Sequence, residues 1–165
     1  MNRGFSLLVF VAALALAYYY IGQSGAALPP MVAAHFDAEG VANSFIKRDR
    51  YVHLMHLFAL VVPSVIVCGT ALIYSRANNF KIPNRDYWLA PERLPATRAF
   101  LVGHSIWFGV VLTAMLCYVH SLVVKANLAS PPHLSNSAAI GGVFGFMLVT
   151  LGWAVMLVFK FRRTD

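Results

Sequence analysis

Four long apolar runs dominate this sequence and contain no lysine, arginine, aspartate or glutamate. They are Phe5–Ile21, Val52–Tyr74, Ala99–Val124 and Ala138–Phe159. An α-helix needs about 20 apolar residues to cross the hydrocarbon core of a bilayer, and every run reaches or approaches that length. The pattern predicts an all-α membrane protein: a single polytopic domain over residues 1–165, with four transmembrane helices arranged as two antiparallel hairpins.

The basic residues between the runs predict the orientation. Nine of them fall on one side of the predicted membrane and four on the other, out of 13 in the chain. The side richer in lysine and arginine is normally cytoplasmic, so both termini and the loop 75–98 are expected inside. The nine are Arg3, Arg76, Lys81, Arg85, Arg93, Arg98, Lys160, Arg162 and Arg163, and the four are Lys47, Arg48, Arg50 and Lys125.

The charge and hydrophobic content of the sequence indicate which class of partner it contacts. The net charge of +7 in a chain that is 59% hydrophobic comes from residues at the ends of the runs, which is typical of topology signals and anionic-lipid contacts. We therefore expect contact with the lipid bilayer and none with nucleic acid. The first run has a basic start and Ser24-Gly25-Ala26 as a possible cleavage site, but its length favours a retained span over a secretory signal.

Small residues recur on one side of the last run. Gly141, Gly145 and Gly152 lie at helical spacing, and small residues four apart let helix backbones approach closely in lipid. We expect packing within the chain, with self-association or contact with another membrane protein as the alternative.

Histidine is the only residue type whose placement favours a chemical site. Among six histidines, His53 and His56 share a helix face at the outer end of the second run, and His120 lies near the outer end of the third. Such a layer would suit a transition metal or haem, or would sense external pH. The simpler alternative is that these rings are interfacial, because no His-x-His, His-Glu-x-x-His or Cys-x-x-Cys element accompanies them. No cofactor is expected under that alternative.

A catalytic set is not apparent from spacing. The runs hold no carboxylate of the kind that proton-coupled carriers often use at mid-depth, and no phosphate-binding glycine loop occurs. Catalytic residues are therefore predicted as none, and a non-enzymatic protein is favoured.

The loop after the first run carries a recognisable motif. Residues 28–45 read LPPMVAAHFDAEGVANSF, with Leu-Pro, then His-Phe, then Gly in order, and residues 86–93 read DYWLAPER. The two segments resemble a bacterial membrane family of unknown function, whose domain also forms the N-terminal part of the immunity protein against the sporulation-delay toxin. The resemblance implies a polytopic inner-membrane protein without established catalysis. Its motif positions here are Leu28, Pro29, His35, Phe36, Asp37 and Gly40, with Tyr87, Trp88, Pro91, Glu92 and Arg93 in the cytoplasmic loop.

Two functions follow as hypotheses. The first is a non-enzymatic sensing, immunity-like or accessory subunit whose outer loop is an ordered cap. In that cap Phe36 and Phe45 pack on the helices, His35 hydrogen-bonds locally, and Gly40 turns the chain with positive φ. The alternative is a metal- or haem-binding redox component that uses the histidine layer.

Overall fold

The structure is a computed structural model that describes residues 3–76 and 81–164. Four long helices account for most of it: α1 Arg3–Ala26, α2 Arg48–Arg76, α4 Leu94–Leu128 and α5 Asn136–Arg162. All four are long and apolar enough to cross a membrane. The prediction of four helices that could span a membrane is confirmed, and they support a multi-pass membrane protein.

Three shorter elements complete the fold. Strands β1 Met31–Phe36 and β2 Ala42–Lys47 pair antiparallel between α1 and α2, and α3 Arg85–Trp88 is a single turn between α2 and α4. Residues 77–80 of the predicted cytoplasmic loop lie outside the described residues. We call the end of the molecule that carries the strands the hairpin end, and the end that carries α3 and the last residues of α5 the tail end.

Helices α1, α2 and α4 pack against one another and form the centre of the bundle. Phe10, Val67 and Ile106 make a buried cluster there, one residue from each helix. Gly109 permits this approach, because a Cβ atom at that position would lie 2.6 Å from Val67 and 2.8 Å from Phe10. Close packing through small residues therefore occurs in α4, as is usual for helix association in lipid.

Helix α5 lies on α4 and leaves most of its surface uncovered. Gly142 faces the ring of Tyr118, whose hydroxyl donates a hydrogen bond to the carbonyl oxygen of Ala138 at 2.8 Å. Phe161 is the buried residue of α5, at 1% exposure. Along the rest of the helix large apolar side chains such as Leu148, at 68% exposure, point outward. In a bilayer those side chains meet lipid or another membrane protein.

The strands form a cap over the hairpin end. Val32 and Ala33 are fully buried, and Val32 belongs to a cluster with Leu28, Tyr51 and Val124. The loop is thus ordered, but its hairpin conformation was not part of the prediction. Phe45 is 48% exposed, so the expectation that it packs on the helices is wrong. Side chains alternate along a strand, and on β2 the alternation turns Ile46 toward the helices instead.

Candidate functional site

An open groove lies beneath the cap at the hairpin end, between α1 and α2. Its α1 wall is small because Gly22, Gly25 and Ala26 contribute almost no side chain. The α2 wall is polar and consists of Arg48, Asp49, Val52, His53 and His56. The volume of about 460 Å³ falls within the range of about 300–1,000 Å³ that is usual for small-ligand sites. We call this feature the hairpin-end groove.

The chain segment at the mouth of the groove carries a net positive charge. Lys47, Arg48 and Arg50 lie in one four-residue stretch with Asp49 as the single acid, and of these four residues Arg48 and Asp49 line the groove. Arg48 and Asp49 form an ion pair at 3.5 Å in which the Asp49 side chain is 94% exposed, so solvent screens it strongly. Arg48 Nη1 also lies 3.5 Å from the carbonyl oxygen of Leu28. The mouth of the groove therefore favours a negatively charged group.

Behind the groove, a series of three consecutive hydrogen bonds crosses the bundle from Tyr51 through His120 and Ser24 to Tyr20. The Ser24 hydroxyl donates to the carbonyl oxygen of Tyr20 at 2.6 Å, so its oxygen accepts from His120 Nε2 at 2.8 Å. His120 Nδ1 then accepts from the Tyr51 hydroxyl at 3.0 Å. The tautomer follows from this pattern, since each hydroxyl carries one proton and a neutral imidazole has one donor and one acceptor.

This series of hydrogen bonds links three helices through a single buried residue. His120 on α4 is 0% exposed, Ser24 is on α1 and Tyr51 is on α2. The Tyr51 ring stacks on the imidazole at 5.7 Å, and the Tyr20 ring meets its edge at 5.7 Å. Both ring nitrogens of His120 are thus satisfied within the protein. This is the arrangement that a buried polar side chain requires when no water reaches it.

The predicted histidine layer is divided by the fold. His53 is exposed and His56 is half-buried, and both line the groove. His56 Nε2 donates to the carbonyl oxygen of Tyr18 at 3.0 Å, and its ring lies 4.6 Å from the Tyr18 ring. His120 turns away toward Ser24 and Tyr51. Among the described residues, no group of three or more His, Cys, Asp or Glu side chains is placed to hold a metal ion. A metal on His120 would displace one of its hydrogen bonds, and the metal or haem hypothesis stays a prediction.

The turn of the hairpin is organised by Asp37 and Gly40. Asp37 Oδ1 accepts from the amides of Glu39 at 3.1 Å and Val41 at 2.7 Å. Gly40 has φ +86°, and a Cβ atom there would collide with the carbonyl oxygen of Leu134. The expected positive φ at Gly40 is confirmed. The Asp37 carboxylate therefore stabilises the turn by accepting these two hydrogen bonds.

The other motif residues of the first loop have different environments. Leu28 is 3% exposed within the cluster under the cap. Pro29 and Phe36 are half-buried. His35 is exposed on β1, and in the described part of the chain its side chain makes none of the local hydrogen bonds that were expected. A register shift in the pairing with β2 lies between Ala33 and His35. Such an irregularity interrupts the alternation of sides, so His35 lies on the solvent side although Ala33, two residues before it, is buried.

Asn127 holds the cap to the bundle, and the sequence analysis did not single it out. Its side-chain oxygen accepts from the Ala33 amide at 2.7 Å, and its nitrogen donates to the Ala33 carbonyl oxygen at 3.0 Å. The same nitrogen donates to Val123 O at 2.9 Å within α4. The amide group thus occupies the place of a neighbouring strand beside β1. Asparagine near a helix end is common, so no sequence signal marks this role.

The loop between α4 and α5 holds the tip of the hairpin. Leu134 N donates to Gly40 O at 2.8 Å, and Asn136 Nδ2 donates to Ala38 O at 2.6 Å. His133 bridges Val41 in antiparallel fashion. The two loops therefore form one hydrogen-bonded unit at the hairpin end.

The motif residues of the second loop pack at the tail end. Trp88 Nε1 donates to Phe161 O at 3.1 Å. The Arg93 guanidinium lies 4.0 Å above the Tyr87 ring and pairs with Glu92 at 3.1 Å, while Pro91 is exposed. These contacts make residues 87–93 of the loop a folded part of the bundle.

The three singled-out glycines of α5 meet no neighbour. A Cβ atom at Gly141, Gly145 or Gly152 would have nothing within 4 Å in the part of the chain that the structure describes. Gly142, the adjacent residue, makes the close contact with α4 instead. Contact of the three glycines with a second copy or another membrane protein stays a prediction.

Comparisons with protein-family models, with curated proteins and with solved structures give no match to this chain.

Proposed function

We propose that this chain is a non-enzymatic binding protein of the bacterial inner membrane, with sensing, immunity-like or accessory roles. Both termini lie in the cytoplasm, and the two helical hairpins place the strands outside. In this proposal the hairpin-end groove receives an extracytoplasmic ligand. The observation that carries it is a preformed groove under a cap that is hydrogen-bonded on two sides.

The groove is suited to a negatively charged ligand, such as an acidic peptide. Arg48 lies at its mouth, with Lys47 and Arg50 next to it in the chain. His53 and His56 add polar imidazole rings on the same wall. The glycines opposite leave room for backbone to approach closely. The resemblance of residues 28–45 to a membrane family whose domain also occurs in an immunity protein against a toxin is compatible with a peptide as the ligand class.

Topology is tested first. Reporter fusions at Asp37 and Ser135 are expected to read outside, and a fusion at Arg85 is expected to read inside. A cytoplasmic signal at Asp37 would contradict the orientation and the proposed function together.

Ligand binding is tested with dye-labelled acidic, neutral and basic peptides of equal length, on the full chain in detergent by fluorescence anisotropy. Gly22→Leu fills the groove, because a Cβ at Gly22 meets only His56, at 3.9 Å. Gly69→Leu is the matched control, since nothing lies within 4 Å of its Cβ. The acidic peptide is expected to bind to wild type and to the control but not to Gly22→Leu. Equal binding by both variants, or no preference for the acidic peptide, would contradict the proposal.

A further inference from the structure

A second groove lies at the tail end, on the outward side of α5. It is lined by Trp88 from α3, by Met156, Phe159 and Lys160 from the last turns of α5, and by Arg163, the residue that follows α5. Met156, Phe159 and Lys160 are spaced i, i+3 and i+4, so they share one helix face. The Trp88 indole forms the opposite wall and is fixed by its hydrogen bond to Phe161 O at 3.1 Å.

The groove is apolar at one end and cationic at the other. Met156 and Phe159 are the last apolar residues on this face, and Phe159 is 58% exposed. Lys160 is the first charged residue after the apolar run Ala138–Phe159, so it lies at the membrane boundary. From Met156 to Arg162, the last residue of α5, the helix rises by about 9 Å, which is comparable to the roughly 5–8 Å of headgroup region on one side of a bilayer.

The two cations of this groove have no acidic partner among the described residues. The ion pairs in residues 3–76 and 81–164 are Arg48–Asp49 and Arg93–Glu92. Lys160 Nζ lies 4.6 Å from the centre of the Trp88 ring, and this cation–π contact holds the ammonium group at the groove while its remaining N–H donors stay available.

We propose that this groove binds one anionic phospholipid. The phosphate lies between Lys160 and Arg163, and an acyl chain runs along Met156 and Phe159 against the indole of Trp88. Charge complementarity selects an anionic over a zwitterionic headgroup. The volume of about 440 Å³ accommodates a headgroup and the start of one chain. The assignment does not depend on which leaflet faces the tail end, nor on the function proposed for the hairpin end.

The experiment is native mass spectrometry of the full chain released from detergent, with equimolar phosphatidylglycerol and phosphatidylcholine of the same acyl chains. Wild type is expected to retain one phosphatidylglycerol in preference to phosphatidylcholine. Each cation near an anionic headgroup contributes roughly fivefold in affinity. Lys160→Gln with Arg163→Gln should therefore weaken retention by about 25-fold.

The matched control is Arg76→Gln with Lys81→Gln, which removes the same charge from two exposed tail-end residues that do not line the groove. It should retain the lipid as wild type does. Lys160→Arg with Arg163→Lys keeps both charges and should also bind, which separates loss of charge from misfolding. Equal weakening in the control pair would show diffuse electrostatics and overturn the site. Displacement of the lipid by an equal concentration of glycerol 3-phosphate would assign the groove to soluble phosphate and also overturn the proposal.

Discussion

Replacing Asn127 by leucine should detach the cap while leaving the membrane helices in place. Leucine fills nearly the same volume but can neither accept from the Ala33 amide nor donate to the Ala33 carbonyl oxygen, which are now 2.7 and 3.0 Å from the asparagine. Ala33 is 0% exposed, so both of its backbone groups lose their partner without gaining water. An orphaned buried group costs about 1–3 kcal/mol, which gives about 2–6 kcal/mol for the pair. The Val123 carbonyl retains its helical hydrogen bond and adds little.

Amide hydrogen exchange of the full chain in detergent measures this loss locally. Even the lower figure of about 2 kcal/mol corresponds to roughly a 30-fold fall in the protection of β1 amides. Amides in the middle of α2 and α4 should keep their protection. Asn43→Leu is the control, because Asn43 is an exposed residue of β2. If β1 amides exchange in Asn127→Leu as slowly as in wild type, the side chain of Asn127 does not hold the cap.

Three further predictions concern single contacts. Gly40→Ala places a side chain at φ +86° and against the carbonyl oxygen of Leu134, and should cost at least about 1–2 kcal/mol in denaturant unfolding; Gly141→Ala, in open space, should not, and equal losses would argue against strain at Gly40. Tyr51→Phe removes the hydroxyl that donates to His120 at 3.0 Å and should cost about 1–3 kcal/mol; an unchanged melting temperature would mean that the hydroxyl contributes nothing. Phe161→Ala should cost about 3–5 kcal/mol because that ring is 1% exposed, and a thermal scan that matches wild type would refute its role at the tail end.

The long apolar helices were predictable because their signal is the length of a charge-free run, which is read directly from the sequence. A run without charges is either long enough to span a bilayer or it is not, and Val52–Tyr74 clearly is. The helices continue beyond those runs where polar residues extend them past the bilayer. Arg48, for example, begins α2 directly after β2. The runs carry no information about that extension, because helix ends in the interface are set by local hydrogen bonds.

The cap and the site were only partly predictable. Gly40 is a residue type that favours a turn, and the turn is where it was predicted; the part that Asp37 takes in that turn was not predicted. The partners of His120 were not predictable, because they depend on the rotation of three helices about their axes. An all-round apolar helix gives little sign of which face turns inward. Asn127 was missed for the same reason, since its partner is a backbone group 94 residues away.

Because of that separation, the ribosome makes the strand well before the side chain that holds it to the bundle. Ala33 is synthesised 94 residues before Asn127, and at about 5–20 residues per second this is an interval of about 5–20 seconds. During that time the first two spans and both strands exist, but the Ala33 backbone groups have no clamp. Later still, the residues that hold the hairpin tip, Leu134 and Asn136, are added. A ribosome that stalls after α2 would therefore leave a chain with an incomplete and protease-accessible cap, which quality-control enzymes on that side of the membrane can recognise.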